Sequence, residues 1–237
     1  MNDSSTHRYT FKNSRYSSHS TILRIVGEGN GQVLDVGCGT GYLSSELRVR
    51  GWHVIGIDND RLAIQSATSV CDRVILADLN QLDTLILNNE QFDIIVFGDV
   101  LEHLHYPLKT LKFLKQHLTP TGQMIISVPN IAYFWIRLNL LFGRFEYSDR
   151  GILDRTHIHF FTRRSLVRLL DEAELCVSKR YSTPAPLEEV LPKSLVARTL
   201  APLRAISALL ATLLPKLCGY QFVVVARPRV PDLTHSE

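Results

Sequence analysis

The chain has 237 residues, of which 45% are hydrophobic and 21% charged, as in an ordinary globular protein. A formal net charge of +3 is too small to indicate a nucleic-acid-binding surface, and no nucleic-acid partner is favoured. Four widely spaced cysteines without a Cys-x-x-Cys pair argue against a zinc knuckle or a disulfide framework. The polar first 20 residues lack the apolar core of a secretion signal, so we expect a cytoplasmic protein.

The first predicted strand leads into a glycine-rich loop within residues 33–41, which read VLDVGCGTG. Gly37, Gly39 and Gly41 allow positive φ and close approach of a ligand to the backbone, and the helix that follows offers unpaired N–H groups. Loops of this kind also bind dinucleotides, so the glycines alone do not identify the ligand. Asp35 is poorly placed for a pyrophosphate but well placed for an ammonium group, which favours a cationic amino-acid ligand.

Acidic residues mark the ends of the next predicted strands. They are Asp58, the last residue of the strand predicted over 54–58, Asp78 after 73–77 and Asp99 after 92–98. Strand–helix units repeat five times up to residue 128, which predicts a parallel, doubly wound sheet. Ligands of such sheets bind beyond the carboxyl ends of the strands, where an acid after the second strand can bond a ribose diol.

A candidate catalytic group follows the fourth strand. Asp99, Glu102 and His103 lie within five residues, and His157 lies in a later loop that opens on the same side of the sheet. Histidine can act as a general base near neutral pH. The alternative is that Asp99, Glu102, His103 and His157 bind a divalent metal, which would lower the pKa of an acceptor hydroxyl. The metal is possible but not favoured.

Two insertions, residues 130–160 and 184–218, precede the last two strands. Residues 130–168 carry more arginines than acids, which suits an anionic acceptor; the arginines are Arg137, Arg144, Arg150, Arg155, Arg163, Arg164 and Arg168. Leucine and isoleucine recur every three or four residues through 195–217. This stripe predicts a roof over the site, a dimer contact or a peripheral membrane contact, and we prefer the roof.

Residues 32–128 closely resemble class I S-adenosylmethionine (SAM) dependent methyltransferases. The segment from Asp154 to Leu166, DRTHIHFFTRRSL, is similar to their methyltransferase-23 type, and Glu102-His103 with a later histidine resembles ubiquinone-biosynthesis O-methyltransferases. The resemblance implies a seven-stranded Rossmann-like sheet of order 3-2-1-4-5-7-6 with the last strand antiparallel. It also implies SAM as cofactor and S-adenosylhomocysteine as product. The predicted cofactor site comprises Asp35, Gly37, Cys38, Gly39, Gly41, Asp58, Asn59, Asp78, Leu79 and Asp99.

These observations predict one methyltransferase domain over residues 1–237, with residues 1–15 flexible and 228–237 a tail. The predicted activity is O-methylation of a small-molecule, sugar or lipid-linked glycan acceptor, in the cytoplasm or at the inner face of the membrane. A SAM-binding partner or regulatory subunit without turnover is the alternative. An NAD-dependent oxidoreductase is a third reading, which Asp35 argues against. The sequence leaves the oligomeric state and the acceptor open.

Overall fold

The computed structural model of the chain describes residues 15–85, 87–186 and 201–229. Most of the predicted flexible start and polar tail, and Leu195, Val196 and Leu200 of the leucine stripe, lie outside these ranges.

Seven strands form one sheet of order β3-β2-β1-β4-β5-β7-β6. Strands β1 to β5 are parallel, and β7 runs antiparallel to both β5 and β6. The predicted strand order and the antiparallel last strand are confirmed. The strands are β1 Gln32–Val36, β2 His53–Asp58, β3 Arg73–Leu76, β4 Phe92–Gly98, β5 Leu118–Pro129, β6 Leu175–Thr183 and β7 Gln221–Pro228.

Helices cover both faces of the sheet, because the central strands are buried on both sides and read as continuous apolar runs. On one face α1 and α2 contribute Ile22, Leu23 and Leu47 to the core, and on the other α4 and α6 contribute Leu111 and Leu166. The helices are α1 Ser18–Val26, α2 Tyr42–Val49, α3 Arg61–Ala67, α4 Pro107–Lys115, α5 Phe134–Leu141, α6 Arg163–Glu172, α7 Ala201–Leu213 and α8 Pro215–Cys218. Short 3-10 helices span Leu82–Thr84 and Leu101–His103.

Element boundaries differ from the sequence prediction by a few residues. The predicted turn at residues 119–122 lies inside β5, where the pairing register jumps from Phe92–Leu118 to Ile94–Gln123. The third strand ends at Leu76, one residue early, while β6 continues to Thr183 because that residue pairs with Gln221. Long-range pairing, which local sequence patterns do not record, decides where each strand ends.

The described part of the leucine stripe forms α7 and α8. In α7 the buried residue is Ala211, whose carbonyl accepts a hydrogen bond from the Ser182 hydroxyl of β6, while the large apolar side chains face solvent. The described part of the stripe therefore packs on the edge strand β6, and its role as a roof over the site stays a prediction. Among the described residues, no helix has the length and hydrophobicity needed to cross a bilayer.

Candidate active site

The glycine loop connects β1 to α2 in a conformation that depends on glycine. Gly37, Gly39 and Gly41 have φ of +67°, +53° and +84°, in the left-handed region that other residues rarely adopt. A Cβ on Gly37 would lie 2.6 Å from Cγ2 of Val100, whereas one on Gly39 would meet nothing within 4 Å. The loop thus packs tightly at its first glycine and is open at its second. The amide of Cys38 in this loop donates to the Ile57 carbonyl at 3.0 Å.

Asp35 lies beneath the loop with only 2% of its surface exposed. Its Oδ2 accepts a hydrogen bond from the Ser44 hydroxyl in the first turn of α2, at 2.6 Å. Burial raises the pKa of the Asp35 carboxyl to about 6, although the Ser44 bond opposes this rise. The hydrogen bond from Ser44 therefore links Asp35 to the first turn of α2. A contact between Asp35 and the cofactor's ammonium group stays a prediction.

Asp58 joins the glycine loop to the start of α3. Its Oδ2 accepts from the Gly39 amide at 2.7 Å, and its Oδ1 accepts from the Asp60 amide at 2.9 Å. The Asp60 side chain in turn caps α3 by accepting from the amides of Leu62 and Ala63, as the sequence predicts, while Asn59 is exposed. The carboxylate predicted to bind the ribose thus lies directly beside the loop.

Asp78 and Leu79 follow β3, where an adenine is predicted to bind. The Asp78 Oδ1 accepts from the backbone amide and the side-chain amide of Asn80, at 2.9 and 3.0 Å. Leu79 is 7% exposed and packs with the main hydrophobic core. Asp78 is half-buried, so it is the more accessible of the two.

Asp99 follows β4 in a left-handed conformation, with φ of +61°. Its Oδ1 accepts from the Ser127 hydroxyl of β5 at 2.6 Å, and its Oδ2 accepts from the Ser18 hydroxyl of α1 at 3.4 Å. Left-handed backbone in a residue other than glycine costs free energy and is concentrated at functional sites. Asp99 therefore links three elements at the carboxyl edge of the sheet.

Glu102, His103 and His157 form a compact group, in which one ligand atom from each lies within 4.8 Å of the others. The two imidazole rings meet edge to face with centroids 4.8 Å apart. Nδ1 of His103 lies 3.1 Å from the Thr156 carbonyl, and Nδ1 of His157 lies 3.0 Å from the Ile152 carbonyl. Because a carbonyl only accepts, Nδ1 carries the proton in each neutral ring and Nε2 carries the lone pair.

Backbone contacts bring the His157 loop to this group. The amides of Ile158 and His159 both donate to the Glu102 carbonyl, at 2.8 and 3.0 Å. Within the loop the buried Asp154 accepts from the amide and the hydroxyl of Thr156, at 2.8 and 2.6 Å. We call residues 154–159 the histidine strap, since it holds His157 against the 3-10 helix that contains Glu102 and His103.

The pKa of His157 is lowered, mainly because the ring is partly buried and also because His103 is close. The Ile152 carbonyl and the carboxylates of Asp154 and Asp99 oppose this shift. His157 is therefore a neutral imidazole at neutral pH, the form that can accept a proton.

The predicted four-residue metal set is only partly assembled. Glu102, His103 and His157 come together, but Asp99 is not in the group, and its oxygens face Ser127 and Ser18. Two imidazoles and a carboxylate still fit a divalent cation, with the remaining positions left for water or an acceptor oxygen. Such an ion, when bound, would lower the pKa of the acceptor hydroxyl.

An aromatic cluster borders the histidines and was not predicted from the sequence. The Phe160 ring lies 6.3 Å from both His157 and Phe145, and Phe145 lies 5.4 Å from Tyr147. The signal in the sequence is a run of aromatic residues inside a charged loop, which reads as irregular structure until the loop folds back. We call Phe145, Tyr147 and Phe160 the aromatic cluster.

A sheet of this order, a glycine loop after β1, an acid at the end of β2 and another just after β3 together define a class I SAM-dependent methyltransferase. SAM is its cofactor. The chain belongs to the methyltransferase-23 family, described as a methyltransferase domain, whose model matches residues 11–179.

Curated relatives include ubiquinone biosynthesis O-methyltransferases. The protein from Rickettsia typhi is 34% identical over 102 residues, which cover 42% of this chain and 41% of the relative. The protein from Aeromonas salmonicida is 29% identical over 159 residues, which cover 62% of this chain and 63% of the relative. The chain therefore matches about two fifths to three fifths of the length of these two relatives.

Solved structures share the fold at low identity. A SAM-dependent methyltransferase from Archaeoglobus fulgidus has a TM-score of 0.61 at 20% identity and covers 91% of this chain and 95% of its own. The 1,6-didemethyltoxoflavin-N1-methyltransferase from Burkholderia thailandensis, solved with S-adenosylhomocysteine, has a TM-score of 0.57 at 17% identity and covers 90% and 77%. Because the second is named for a nitrogen acceptor, the fold alone does not decide the acceptor atom.

Proposed function

We propose that this methyltransferase transfers the methyl group of SAM to a hydroxyl oxygen of a ring-containing acceptor, either a small molecule or a lipid-linked glycan. The observation that carries the proposal is the pair of imidazoles at the carboxyl edge of the sheet, each with Nδ1 against a carbonyl and its lone pair on Nε2. The relatives named as O-methyltransferases support oxygen as the acceptor atom.

The reaction needs an in-line approach and a proton acceptor. The hydroxyl oxygen attacks the methyl carbon, the carbon–sulfur bond breaks with its electron pair going to sulfur, and S-adenosylhomocysteine is the product. The hydroxyl proton passes to Nε2 of His157, which is neutral and partly shielded from water. The nearby Glu102 carboxylate would stabilise the imidazolium that forms.

The aromatic cluster supports a ring as the acceptor. Phe160 lies next to His157, and Phe145 and Tyr147 lie next to Phe160; both aromatic rings and the apolar faces of sugars pack against such side chains. The exposed arginines of the same insertion, Arg144 and Arg150, suit an acceptor that also carries negative charge.

The test is methyl transfer from labelled SAM to components of a cell extract, followed by kinetics on the product identified. We expect His157→Ala to lower turnover by about 10² or more, the usual contribution of a general base, with SAM affinity unchanged. His105→Ala is the matched control, since its exposed ring lies outside the group, and should stay within twofold. Full turnover in a His103→Ala/His157→Ala double variant would contradict the assignment.

Chelation separates the two chemistries that the histidine group allows. We expect turnover to survive EDTA if His157 acts as the base. Loss of turnover with EDTA, restored by a divalent cation, would instead assign Glu102, His103 and His157 to a metal. SAM binding without product from any extract would favour the regulatory-subunit alternative.

A further inference from the structure

Helix α7 presents large apolar side chains to solvent. Five of its residues are between 41% and 65% exposed: Leu203, Ile206, Leu209, Leu210 and Leu213. Their spacing places them on one side of the helix, opposite the side that packs on β6 through Ala211. We call these five residues the leucine face.

A second exposed apolar helix joins this surface. In and just after α5, Trp135 is 55% exposed, Leu141 78% and Phe142 70%. The Arg137 side chain of α5 donates to the Lys216 carbonyl of α8 at 3.4 Å, so α5 lies beside the α7–α8 pair. The leucine face and α5 are therefore connected through α8, on the side of the sheet where β5 and β6 end.

The charged residues of α5, α7 and α8 are all basic. Residues 129–145 and 201–220 contain no Asp or Glu, and their cations are Arg137, Arg144, Arg204 and Lys216. An apolar face flanked by basic residues is typical of helices that lie in a membrane interface. Two copies of this chain meeting through the same surface would bring like charges together, whereas an anionic surface would complement them.

A cavity of about 240 Å³ next to the leucine face adds a site for an anion. Arg24 of α1, Arg163 of α6 and Arg180 of β6 line it, together with Ser182 and Thr212, and none of the described lining residues is acidic. Among the described residues, none of the three guanidinium groups has an ion pair or a hydrogen bond. Three arginines around one cavity suit a phosphate, whose oxygens accept their N–H groups.

We propose that this surface docks the protein on an anionic phospholipid bilayer. The leucine face and α5 enter the boundary between head groups and acyl chains, and the arginine cavity takes the phosphate of one anionic lipid. Thr212 lies on α7 between the cavity and the leucine face, so both parts can contact the same leaflet. The proposal does not depend on the chemistry assigned to the histidines.

The experiment is flotation of the full chain with vesicles of phosphatidylcholine, with and without phosphatidylglycerol. We expect binding to the anionic vesicles and at least tenfold weaker binding to pure phosphatidylcholine. Leu209→Glu/Leu213→Glu should lower binding to anionic vesicles at least tenfold, because it places charge in the apolar layer. Val49→Glu, at an 84% exposed apolar residue of α2, is the matched control and should bind as wild type.

The arginine cavity is tested separately. Arg24→Gln/Arg180→Gln should weaken binding to anionic vesicles about fivefold per arginine, since each basic residue near such a surface contributes about that factor. Arg61→Gln, at an exposed arginine of α3, should change binding less than twofold.

Three results would overturn the proposal. One is equal binding by the leucine-face variant and Val49→Glu. Another is a concentration-dependent dimer that Leu213→Glu abolishes, which assigns the surface to a second copy. The third is thermal stabilisation by inorganic phosphate, lost in Arg24→Gln/Arg180→Gln, without any vesicle binding, which leaves only a site for free anions.

Discussion

Asp35 is buried, and among the described residues its carboxylate accepts a hydrogen bond from Ser44 but has no ion pair. The carboxyl is 2% exposed and its pKa is raised to about 6 by burial. In the unfolded chain the same group ionises near its ordinary value of 3.8. Between these two pKa values the native state holds a proton that the unfolded state has lost. Folding stability of the cofactor-free protein therefore falls by about 3 kcal/mol as the pH rises from 4 to above 6.

The Asp35→Asn variant tests two consequences of the buried carboxyl: the pH dependence of folding stability and the pH dependence of SAM affinity. The amide keeps an acceptor for Ser44 but carries no charge, so we expect the variant to unfold at higher temperature than wild type at pH 7 and at about the same temperature near pH 4. If the ionised carboxylate holds the cofactor's ammonium group, wild-type SAM affinity rises with pH through about 6 and the variant shows no such rise. Calorimetric titration and melting curves over this pH range measure both effects, and parallel pH profiles would contradict the role of Asp35.

The glycines of the loop differ in what surrounds them. Alanine variants of Gly37 and Gly39 can therefore distinguish an effect on folding stability from an effect on SAM binding. Gly39→Ala should cost about 1 to 2 kcal/mol through left-handed strain and abolish SAM binding, because its Cβ projects into open space over the loop. Gly37→Ala should lose a further 1 to 3 kcal/mol, roughly the penalty of overpacking, through contact with Val100. Urea unfolding and SAM titration of both variants check this, and equal losses of stability would refute the packing argument.

At the scale of elements, the histidine strap shows how a loop delivers a side chain to a site. Asp154 holds the turn by accepting two hydrogen bonds from Thr156, and burial does not prevent its pKa from being lowered, because these bonds favour the carboxylate. The strap is then joined to Glu102 through two backbone amides. Asp154 is thus a positioning residue for His157.

Asp154→Ala should lower kcat at least tenfold while SAM affinity changes little, because the turn that orients His157 is lost. Asp154→Asn should recover most of the activity, since the amide oxygen still accepts from Thr156. Asp149→Ala is the matched control in the same loop, as its carboxylate is exposed and its ion pair with Arg155 contributes little. Equal activity of the Ala and Asn variants would assign Asp154 another role.

Sequence patterns predicted where helices and strands lie along the chain, but they did not predict which of these elements contact each other. The spacing of apolar residues and the N-cap residue Thr162 predict α6 from the sequence. In the structure Thr162 and Ser165 form a capping box at its start. They cannot show that α7 turns its leucines outward, because a helix with apolar residues on most of its circumference fits either a roof or a surface until its partner is known. The aromatic cluster was missed for the same reason, since Phe145 and Phe160 meet only through the folded loop.

At the scale of the whole molecule, cofactor binding and folding are coupled. The glycine loop, Asp58 and Asp78 lie at the ends of three different strands, so a ligand that bridges them stabilises the whole sheet. SAM at 100 times its dissociation constant should stabilise the native state by about 2.7 kcal/mol and raise the melting temperature by roughly 5 to 10 °C. NAD at the same concentration should have no effect, and a thermal shift assay distinguishes the two.

The sequence by itself determined the class of this protein. The glycine-rich loop, the acids at or just after the ends of β2, β3 and β4, and the continuous apolar runs are local features, so they can be read in order along the chain. Only the tertiary structure decided which polar groups meet: His157 joins Glu102 and His103, while Asp99 contacts serines of β5 and α1. It also decided that the leucine face is exposed beside an arginine cavity. These outcomes depend on contacts between segments far apart in the chain, and such contacts follow from packing of the whole fold.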